Sequence, residues 1–247
     1  MSLKDLAKRA LSKIGLDVRF AARYDAATMQ RRLLAGIPVR TVVDVGAYHG
    51  IVAEFYRKAF PLADVYAFEP YPESAEICRK RHQNDSHVHI VSSALGESSG
   101  TALLHVNRFT ATNSLLPTKD SSIVVDTHWV ETVGAIHVPV VSLDEFAEQR
   151  NLDRIQILKI DVQGAETAVL AGSADLLSRG AIDVVYAEVI FQPLYAGGGY
   201  PFEICRFLNQ YNYVLFGIYN LYPMRTGRML QADAIFTSPS LAKQYAS

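Results

Sequence analysis

The sequence predicts an α/β fold: a doubly wound, mostly parallel seven-stranded sheet with helices on both faces. From residue 40 onward, short segments rich in Val and Ile alternate with segments of helical periodicity. The connections between them are short, which favours right-handed strand–helix–strand units. Several predicted strands end in an acidic residue followed by a turn. Of the 247 residues, 49% are apolar and 20% are charged, as in an ordinary globular protein.

The predicted elements form an N-terminal helical extension over residues 1–39 and a main domain over residues 40–247. Apolar residues at helical spacing predict a helix over residues 3–14, and Asp25 is the expected N-cap of a second helix that ends at Gly36. The predicted strands of the main domain are 41–45, 65–68, 88–91, 155–160, 184–189, 213–218 and 234–237. Its predicted helices are 51–60, 72–82, 143–150, 165–177 and 202–210.

Two features interrupt this alternation. Residues 95–140 form a β insertion with two further predicted strands, 101–106 and 136–141, around a long polar stretch. A long irregular insertion in a compact domain is often functional. The last two strands, 213–218 and 234–237, have too little chain between them for a crossover, so we expect an antiparallel hairpin at one edge of the sheet.

Charge and cysteine content limit the partners and the compartment. The net charge of −1 argues against a nucleic-acid partner. Residues 1–40 carry nine Lys or Arg against three Asp, so the basic helix over residues 3–14 either docks on the domain, which we favour, or makes a peripheral contact with an anionic membrane. The start MSLKDLAKRA is charged too early for a secretory signal, and Cys78 and Cys205 form no disulfide framework. We therefore expect a cytoplasmic protein and, from base rates alone, a homodimer.

The strongest local pattern is Val42-Val43-Asp44-Val45-Gly46-Ala47-Tyr48-His49-Gly50, a buried strand that ends in an acid and a turn before a helix. A dinucleotide fingerprint requires GxGxxG, but Tyr48 stands at its middle position and Asp44 would repel a pyrophosphate. The acid suits a ligand with an ammonium group and no phosphate, such as S-adenosylmethionine. We expect Gly46, Ala47, Tyr48 and Gly50 to form the cofactor loop. We also expect Asp44 to meet the cation directly, so that Asp44→Ala abolishes binding.

The next two strand ends are expected to hold the rest of this ligand. Glu69, followed by Pro70, ends the second strand and is placed to accept hydrogen bonds from both ribose hydroxyls, although the same position suits NAD. The end of the third strand, with Ser93 and Ala94, is expected to reach the adenine.

Two later strands repeat the acidic ending. Asp161 lies in Leu158-Lys159-Ile160-Asp161-Val162-Gln163-Gly164-Ala165-Glu166, and Glu188 ends the following strand. The carboxyl ends of parallel strands meet at one edge of a sheet, so Asp161 is expected to face the same crevice as the cofactor turn. Capping of the following helix could explain any one of the acids Asp44, Glu69, Asp161 and Glu188. It explains four acids at one sheet edge less well.

These motifs resemble the FkbM-type family of S-adenosylmethionine-dependent methyltransferases from about Thr41 to Thr237. The resemblance rests on VVDVGAYHG, AFEP, SSALGE, the stretch Asn113-Ser114-Leu115, VSLDEF, the late stretch Gln231-Ala232-Asp233-Ala234-Ile235-Phe236 and, most specifically, LKIDVQGAE. It implies the class I methyltransferase fold, O-methylation of a sugar or natural-product hydroxyl, and a small-molecule or glycan acceptor. The chain departs from the family pattern at Tyr48 and His49, where Asn and an aliphatic residue are common, and at Gln163, where Glu is frequent.

Methyl transfer to a hydroxyl requires alignment, a water-poor pocket and a base. The base candidates are Asp161, Glu188 and His105, and Asp161 has the alternative roles of holding the cofactor amino group or bracing its turn. Trp129 and Tyr195 either stack on an acceptor or pack the core. No ligand spacing predicts a metal site. Two rival functions remain, an NAD-type oxidoreductase and a non-catalytic subunit that binds S-adenosylmethionine.

Overall fold

The structure is a computed structural model that describes residues 25–119, 127–192 and 194–245. Its first helix, α1, spans Ala26–Leu33 and begins at the predicted N-cap, where Asp25 Oδ1 accepts a hydrogen bond of 2.8 Å from the backbone of Thr28. The helix ends three residues before the predicted stop at Gly36. The helix predicted over residues 3–14 lies outside the described residues.

Ten strands form two sheets. In chain order they are β1 Thr41–Val45, β2 Asp64–Phe68, β3 Val88–Val91, β4 Ala94–Leu95, β5 Gly100–Asn107, β6 Thr132–Val141, β7 Ile155–Ile160, β8 Ile182–Ile190, β9 Val214–Pro223 and β10 Met229–Thr237. The main sheet has seven strands in the order β3-β2-β1-β7-β8-β10-β9. Its first five strands are parallel, whereas β10 runs antiparallel to both β8 and β9. The predicted doubly wound sheet and its antiparallel edge hairpin are therefore confirmed.

Helices cover both faces of this sheet. They are α2 Ile51–Ala59, α3 Pro72–His82, α4 Leu143–Arg150, α5 Glu166–Ala171, α6 Ala174–Ser178, α7 Pro201–Gln210 and α8 Pro239–Gln244. Neighbouring strand residues belong to separate cores: Val42 and Ile157 pack in one apolar cluster, and Val43 and Leu158 in the other. This burial on both faces explains why the parallel strands are almost continuously apolar.

The insertion contains one strand more than predicted. The short strand β4 joins β6 in parallel, so the second sheet has the order β4-β6-β5. A two-residue strand carries too little periodicity to be recognised in a sequence. The helix predicted over residues 165–177 is divided at Gly172, where an added Cβ would lie 2.0 Å from the carbonyl oxygen of Gly96. The close approach of the insertion thus breaks this helix into α5 and α6.

The helices of the described ranges are all too short or too polar to cross a bilayer. The carboxyl ends of β1, β2, β7 and β8 carry Asp44, Glu69, Asp161 and Glu188 within two positions of their last residues.

Candidate active site

A cleft of about 470 Å³ opens at the carboxyl ends of β1, β2 and β7. The chain passes outward from β1 through β2 and β3 and returns on the other side of β1, so the strand order reverses between β1 and β7. Ligands of open α/β sheets bind at such a reversal. Residues 109–115 of the insertion contribute another wall. The cleft is therefore at the sheet edge that the sequence predicted.

Asp44 forms an ion pair inside the protein and is not part of the cleft wall. Its carboxylate is fully buried, and Lys159 Nζ lies 3.1 Å from Oδ1. Neither carboxylate oxygen accepts a well-oriented hydrogen bond from the described residues. Asp44 and Lys159 are register partners on the adjacent strands β1 and β7. The predicted direct contact between Asp44 and a ligand cation must therefore be corrected, because a neighbouring strand already supplies the cation.

Lys159 lies at the bottom of the cleft and is nearly buried. Its ammonium group donates to the carbonyl oxygens of Val45 at 3.2 Å and Gly46 at 3.0 Å, and it lies 3.7 Å from Asp161 Oδ2. Burial lowers the pKa of Lys159, but the charges of Asp44 and Asp161 outweigh this effect and raise it above its usual value. The charged lysine thus holds the β1 turn against the end of β7.

Two glycines of the β1 turn are required by close packing within the protein. Gly46 has φ +75°, and an added Cβ would lie 1.9 Å from the carbonyl oxygen of Asp161. Gly50 has φ +76° and packs against Cys78 and His82 of α3. Gly46 lines the cleft, whereas Gly50 lies behind it. The expected approach of a ligand to Gly50 is therefore corrected to an approach of α3.

Glu69 has the position expected of a ribose-binding acid. Its Oε2 accepts a hydrogen bond of 2.8 Å from the backbone of Tyr48, and its Oε1 accepts one of 2.9 Å from the backbone of Tyr71. Burial raises the pKa of Glu69 to about 7, although these backbone donors act in the opposite direction. Each carboxylate oxygen can still accept another hydrogen bond. The residue therefore fits a ligand with two neighbouring hydroxyls.

The wall beside Glu69 is apolar and suits a planar base. It comprises Phe68, Pro70, Ala94, Leu95 and Leu104. Ala94 and Pro70 are where the sequence predicts them. Ser93 is adjacent in sequence but is not part of the wall, because the chain direction at β4 turns Ala94 to the cleft instead.

Asp161 reaches the cleft and is joined to a buried carboxylate by a glutamine. The Asp161 side chain is 39% exposed. Gln163 Nε2 donates to Asp161 Oδ1 at 2.9 Å and to Glu188 Oε2 at 2.7 Å. Gln231 Nε2 donates to Glu188 Oε1 at 2.8 Å. The two glutamines line the cleft, and Glu188 lies behind them. Of the two predicted base candidates Asp161 and Glu188, only Asp161 therefore faces the cleft.

The acid at the end of LKIDVQGAE, Glu166, bonds the backbone of the turn that precedes it. Its Oε1 accepts backbone hydrogen bonds from Val162 at 3.2 Å and Gly164 at 3.0 Å. The side chain is buried, and this burial raises its pKa to about 7. Glu166 therefore fixes the turn that carries Asp161 and Gln163 rather than contacting a ligand.

His105 does not reach the cleft. It lies on β5, where its backbone pairs with Ser114, and the preceding Leu104 is the residue that faces the cavity. Adjacent strand residues point to opposite faces, which places the His105 side chain on the other side of the small sheet. His105 is therefore a poor candidate for the base.

Aromatic side chains surround the mouth of the cleft. Tyr48 has the uncommon φ of +51°, stacks on His49 with 3.6 Å between ring centroids, and lies edge-on to Phe109 at 6.4 Å. Trp129 lines the cleft, and its carbonyl oxygen accepts a hydrogen bond from the backbone of Phe109. Tyr48, which departs from the family pattern, therefore connects the turn after β1 to the insertion, and His49, the other departure, stacks on it.

The sequence did not single out three residues of this site. Lys159 could have been recognised as a lysine inside a mostly apolar strand, and Glu166 as an acid in the first turn of a helix. Gln231 stands in a stretch that carries the family resemblance, but nothing local gives it a role, because it enters the site through the antiparallel return of β10. Among the described residues, no three His, Cys, Asp or Glu side chains are arranged to hold a metal ion.

The strand order, the acid at the end of β2 and the first turn without a GxGxxG pattern together define a class I S-adenosylmethionine-dependent methyltransferase. Residues 44–215 match the model of the methyltransferase FkbM domain, and the chain belongs to that family.

Several curated proteins are similar to this chain. The 2-O-methyltransferase NoeI of Sinorhizobium fredii is 26% identical over 167 residues, which are 65% of this chain and 67% of NoeI. Methyltransferase 1 of Beauveria bassiana is 28% identical over 54% of this chain and 58% of its own length. Methyltransferase sdnD of Sordaria araneosa is 29% identical over 53% and 59%. The chain thus spans less than two thirds of the last two relatives. Among solved structures, an rRNA methylase from Streptococcus thermophilus has a TM-score of 0.48 at 11% identity, over 87% of this chain and 97% of that one.

Proposed function

We propose that this protein transfers a methyl group from S-adenosylmethionine to a hydroxyl oxygen of a sugar, glycan or natural product. The observation that carries the proposal is the half-exposed carboxylate of Asp161, which shares one cleft with the ribose-type acid Glu69. The similarity to the 2-O-methyltransferase NoeI supports oxygen as the accepting atom.

The residues of the cleft suit the parts of S-adenosylmethionine. Glu69 would accept hydrogen bonds from the ribose hydroxyls, and the apolar wall with Pro70 and Ala94 would hold the adenine. Gly46 and Ala47 at the end of β1 would border the amino-acid end, with Lys159 and Asp161 below it. When bound, the cofactor supplies an electrophilic methyl group on a positively charged sulfur.

Asp161 is the group that we assign to the acceptor. Its carboxylate would take the proton of the acceptor hydroxyl as that oxygen accepts the methyl group, and the bound cofactor would supply this group and keep the electron pair of the broken bond on its sulfur. Lys159 Nζ lies 3.7 Å from this carboxylate, at the bottom of the cleft. Tyr48, Phe109 and Trp129 at the mouth limit the water that surrounds the reacting atoms.

The two rival functions predict different ligands. An NAD-type oxidoreductase binds NAD, and a non-catalytic subunit binds S-adenosylmethionine without turnover. Calorimetry with S-adenosylmethionine, S-adenosylhomocysteine and NAD separates the first rival, and we expect binding of the two adenosyl ligands only. Incubation with S-adenosylmethionine and a panel of alkyl glycosides, followed by mass spectrometry for a gain of one methyl group, separates the second.

Asp161→Asn tests the assignment within the same assays. We expect it to lower turnover by 10²–10⁴-fold, the usual contribution of a general base, and to change the affinity for S-adenosylmethionine much less. Loss of cofactor binding with unchanged turnover at saturation would place Asp161 on the cofactor instead.

We further propose a cytoplasmic location, no nucleic-acid partner, a homodimer, and an extension over residues 1–39 beside a methyltransferase domain over residues 40–247. The free state of Cys78 and Cys205 supports a reducing compartment.

For the basic segment 3–14, docking on the domain is the favoured hypothesis and membrane contact the alternative. Sedimentation with anionic liposomes, comparing the full chain with a chain lacking residues 1–20, distinguishes them. Equal recovery of the two chains rules out the membrane contact.

A further inference from the structure

Gln163 uses every polar group of its side chain within the site. Its Nε2 donates one hydrogen bond to Asp161 at 2.9 Å and one to Glu188 at 2.7 Å. Its Oε1 accepts a hydrogen bond of 2.9 Å from the hydroxyl of Tyr195. An amide has two donor hydrogens on nitrogen, and both are used here on carboxylates. A glutamate at this position could not make either of these bonds while ionised.

The backbone of Gln163 is also held in place. Its φ of +57° is uncommon for a residue with a side chain. Glu166 bonds the amides on either side of it, those of Val162 and Gly164, and the hydroxyl of Ser114 donates to the Gln163 carbonyl oxygen at 2.8 Å. Glu166 and Ser114 of the insertion therefore fix the backbone from which the Gln163 side chain extends.

The two carboxylates that Gln163 joins have unequal surroundings. Asp161 is 39% exposed at the cleft, whereas Glu188 is nearly buried behind it. Burial, followed by the charge of Asp161, raises the pKa of Glu188 well above its usual value. The titratable and charged groups that face this pair from the surrounding elements are Lys159, Asp44, Glu166, Asp233, Tyr186 and Tyr195.

We propose that Gln163 is a positioning residue that fixes the Asp161 carboxylate toward the methyl acceptor by bonding it and Glu188 through a single amide. This inference rests on the proposed function, in which Asp161 serves the acceptor. Tyr195 connects the same side-chain amide to the loop after β8, and Ser114 connects the backbone carbonyl of Gln163 to the insertion. Gln163 therefore contacts both the segments that border the acceptor and the Asp161 carboxylate that acts on it.

The chain offers a matched control. Gln231 donates to Glu188 at 2.8 Å, as Gln163 does, but it makes no bond to Asp161. Gln163→Leu and Gln231→Leu each remove one hydrogen-bond donor from Glu188. Only Gln163→Leu also removes a donor from Asp161. Gln149→Glu, on the exposed surface of α4, controls for added negative charge when Gln163→Glu is examined.

The test is carbon-13 NMR of the side-chain carboxyl groups in cofactor-free protein, with resonances assigned through Asp161→Asn and Glu188→Gln. We expect the Glu188 titration midpoint to rise by about one pH unit in both Leu variants, because each loses one donor to the carboxylate. We expect the Asp161 resonance at pH 8 to move most in Gln163→Leu and Gln163→Glu, to move less in Gln231→Leu, where only the charge of Glu188 changes, and to stay at its wild-type position in Gln149→Glu.

An Asp161 resonance that stays unchanged in the folded Gln163 variants would overturn the inference, as would an equal movement in Gln231→Leu. Gln163→Glu preserves the size of the side chain and serves if Gln163→Leu does not fold, which thermal melting establishes. The NMR result does not depend on methyl transfer, so failure of the proposed function in the acceptor assay is distinguishable from failure of this inference.

Discussion

At the scale of single residues, the ion pair of Lys159 and Asp44 is the main electrostatic feature beneath the cleft. Both groups are almost inaccessible, with side-chain exposures of 6% and 0%. A buried pair is costly to break by removing one partner, because the other charge is left without compensation. Lys159 also donates to two carbonyl oxygens of the β1 turn. The pair therefore affects stability and cofactor binding together.

We expect Lys159→Met to lower the free energy of unfolding by about 3–5 kcal/mol, because Asp44 would remain buried and unpaired. Urea denaturation measures this change. Lys58→Met is the control, since Lys58 pairs with Glu54 on the exposed surface of α2 and such pairs contribute about 0–1 kcal/mol. Equal losses in the two variants would contradict the assigned role of Lys159.

Glu69 predicts a pH dependence of cofactor affinity. Burial raises its pKa to about 7, and the ionised carboxylate is the better acceptor for ribose hydroxyls. The affinity for S-adenosylmethionine should therefore rise by about tenfold between pH 6 and pH 8 as the proton leaves Glu69. Calorimetry at several pH values measures it. Glu69→Gln should bind more weakly and with no such slope; a slope that persists in this variant would assign it to another group.

The sign for stability is opposite. Because the pKa of Glu69 in the folded protein lies above its value in an unfolded chain, its contribution to stability is present below about pH 4.5. It is lost as the pH rises through about 7. Cofactor binding and stability of the free protein thus respond to this carboxyl in opposite directions over the same range of pH.

At the scale of elements, the contact between the β1 turn and the end of β7 determines the geometry of the site. Gly46 allows the carbonyl oxygen of Asp161 to approach the turn, and the amide of Asp161 donates to the carbonyl of Val45 at 3.1 Å. This contact joins residues more than a hundred positions apart. It fixes the distance between the β1 turn and the Asp161 carboxylate.

We expect Gly46→Ala to destabilise the protein by about 1–3 kcal/mol more than Gly36→Ala. Both glycines have positive φ, near +75° and +82°, so both substitutions incur the cost of about 1–2 kcal/mol for a left-handed alanine. Only at Gly46 would the new Cβ also collide with backbone, and such overpacking typically costs about 1–3 kcal/mol. Thermal and urea denaturation compare the two variants, and equal effects would show that the turn can move.

At the scale of the whole molecule, the main sheet has a protected centre and an open edge. β1 is paired on both sides by β2 and β7 and is buried along its length. β9 pairs only with β10, and its described side chains are largely exposed, several of them apolar. Its register with β10 is irregular, and Asn220 within it has φ +48°. Such irregularity is one way in which proteins protect an edge strand.

Hydrogen–deuterium exchange should reflect this arrangement. We expect the amides of β1 to exchange at least about tenfold more slowly than those of β9, because core strands open only with global unfolding and edge strands open locally. Peptide-level mass spectrometry of the full chain measures both strands in one sample. Protection of β9 equal to that of β1 would mean that a second molecule covers this edge.

Much of the fold follows from local patterns in the sequence. Apart from Asp44, the segment Thr41–Val45 consists of β-branched residues, so its burial as a strand is predicted from five residues. The helix Pro72–His82 is bounded by its own proline and polar end, and both limits are correct. Asp161 and Glu69 are found at the cleft because a strand end is recognisable wherever it occurs.

The tertiary structure alone decided which of the acids faces a ligand. Asp44 and Asp161 both stand at a strand end before a turn that contains glycine. Asp44 is nevertheless buried in an ion pair with Lys159, whereas the Asp161 side chain is 39% exposed at the cleft. The small strand β4 and the bonds of Gln163 to Glu188 and Tyr195 likewise have no local signature. Periodicity and turn residues are properties of a short stretch of chain. The register between β1 and β7, by contrast, depends on packing between segments more than a hundred residues apart, and this register determines whether a carboxylate meets a lysine or a ligand.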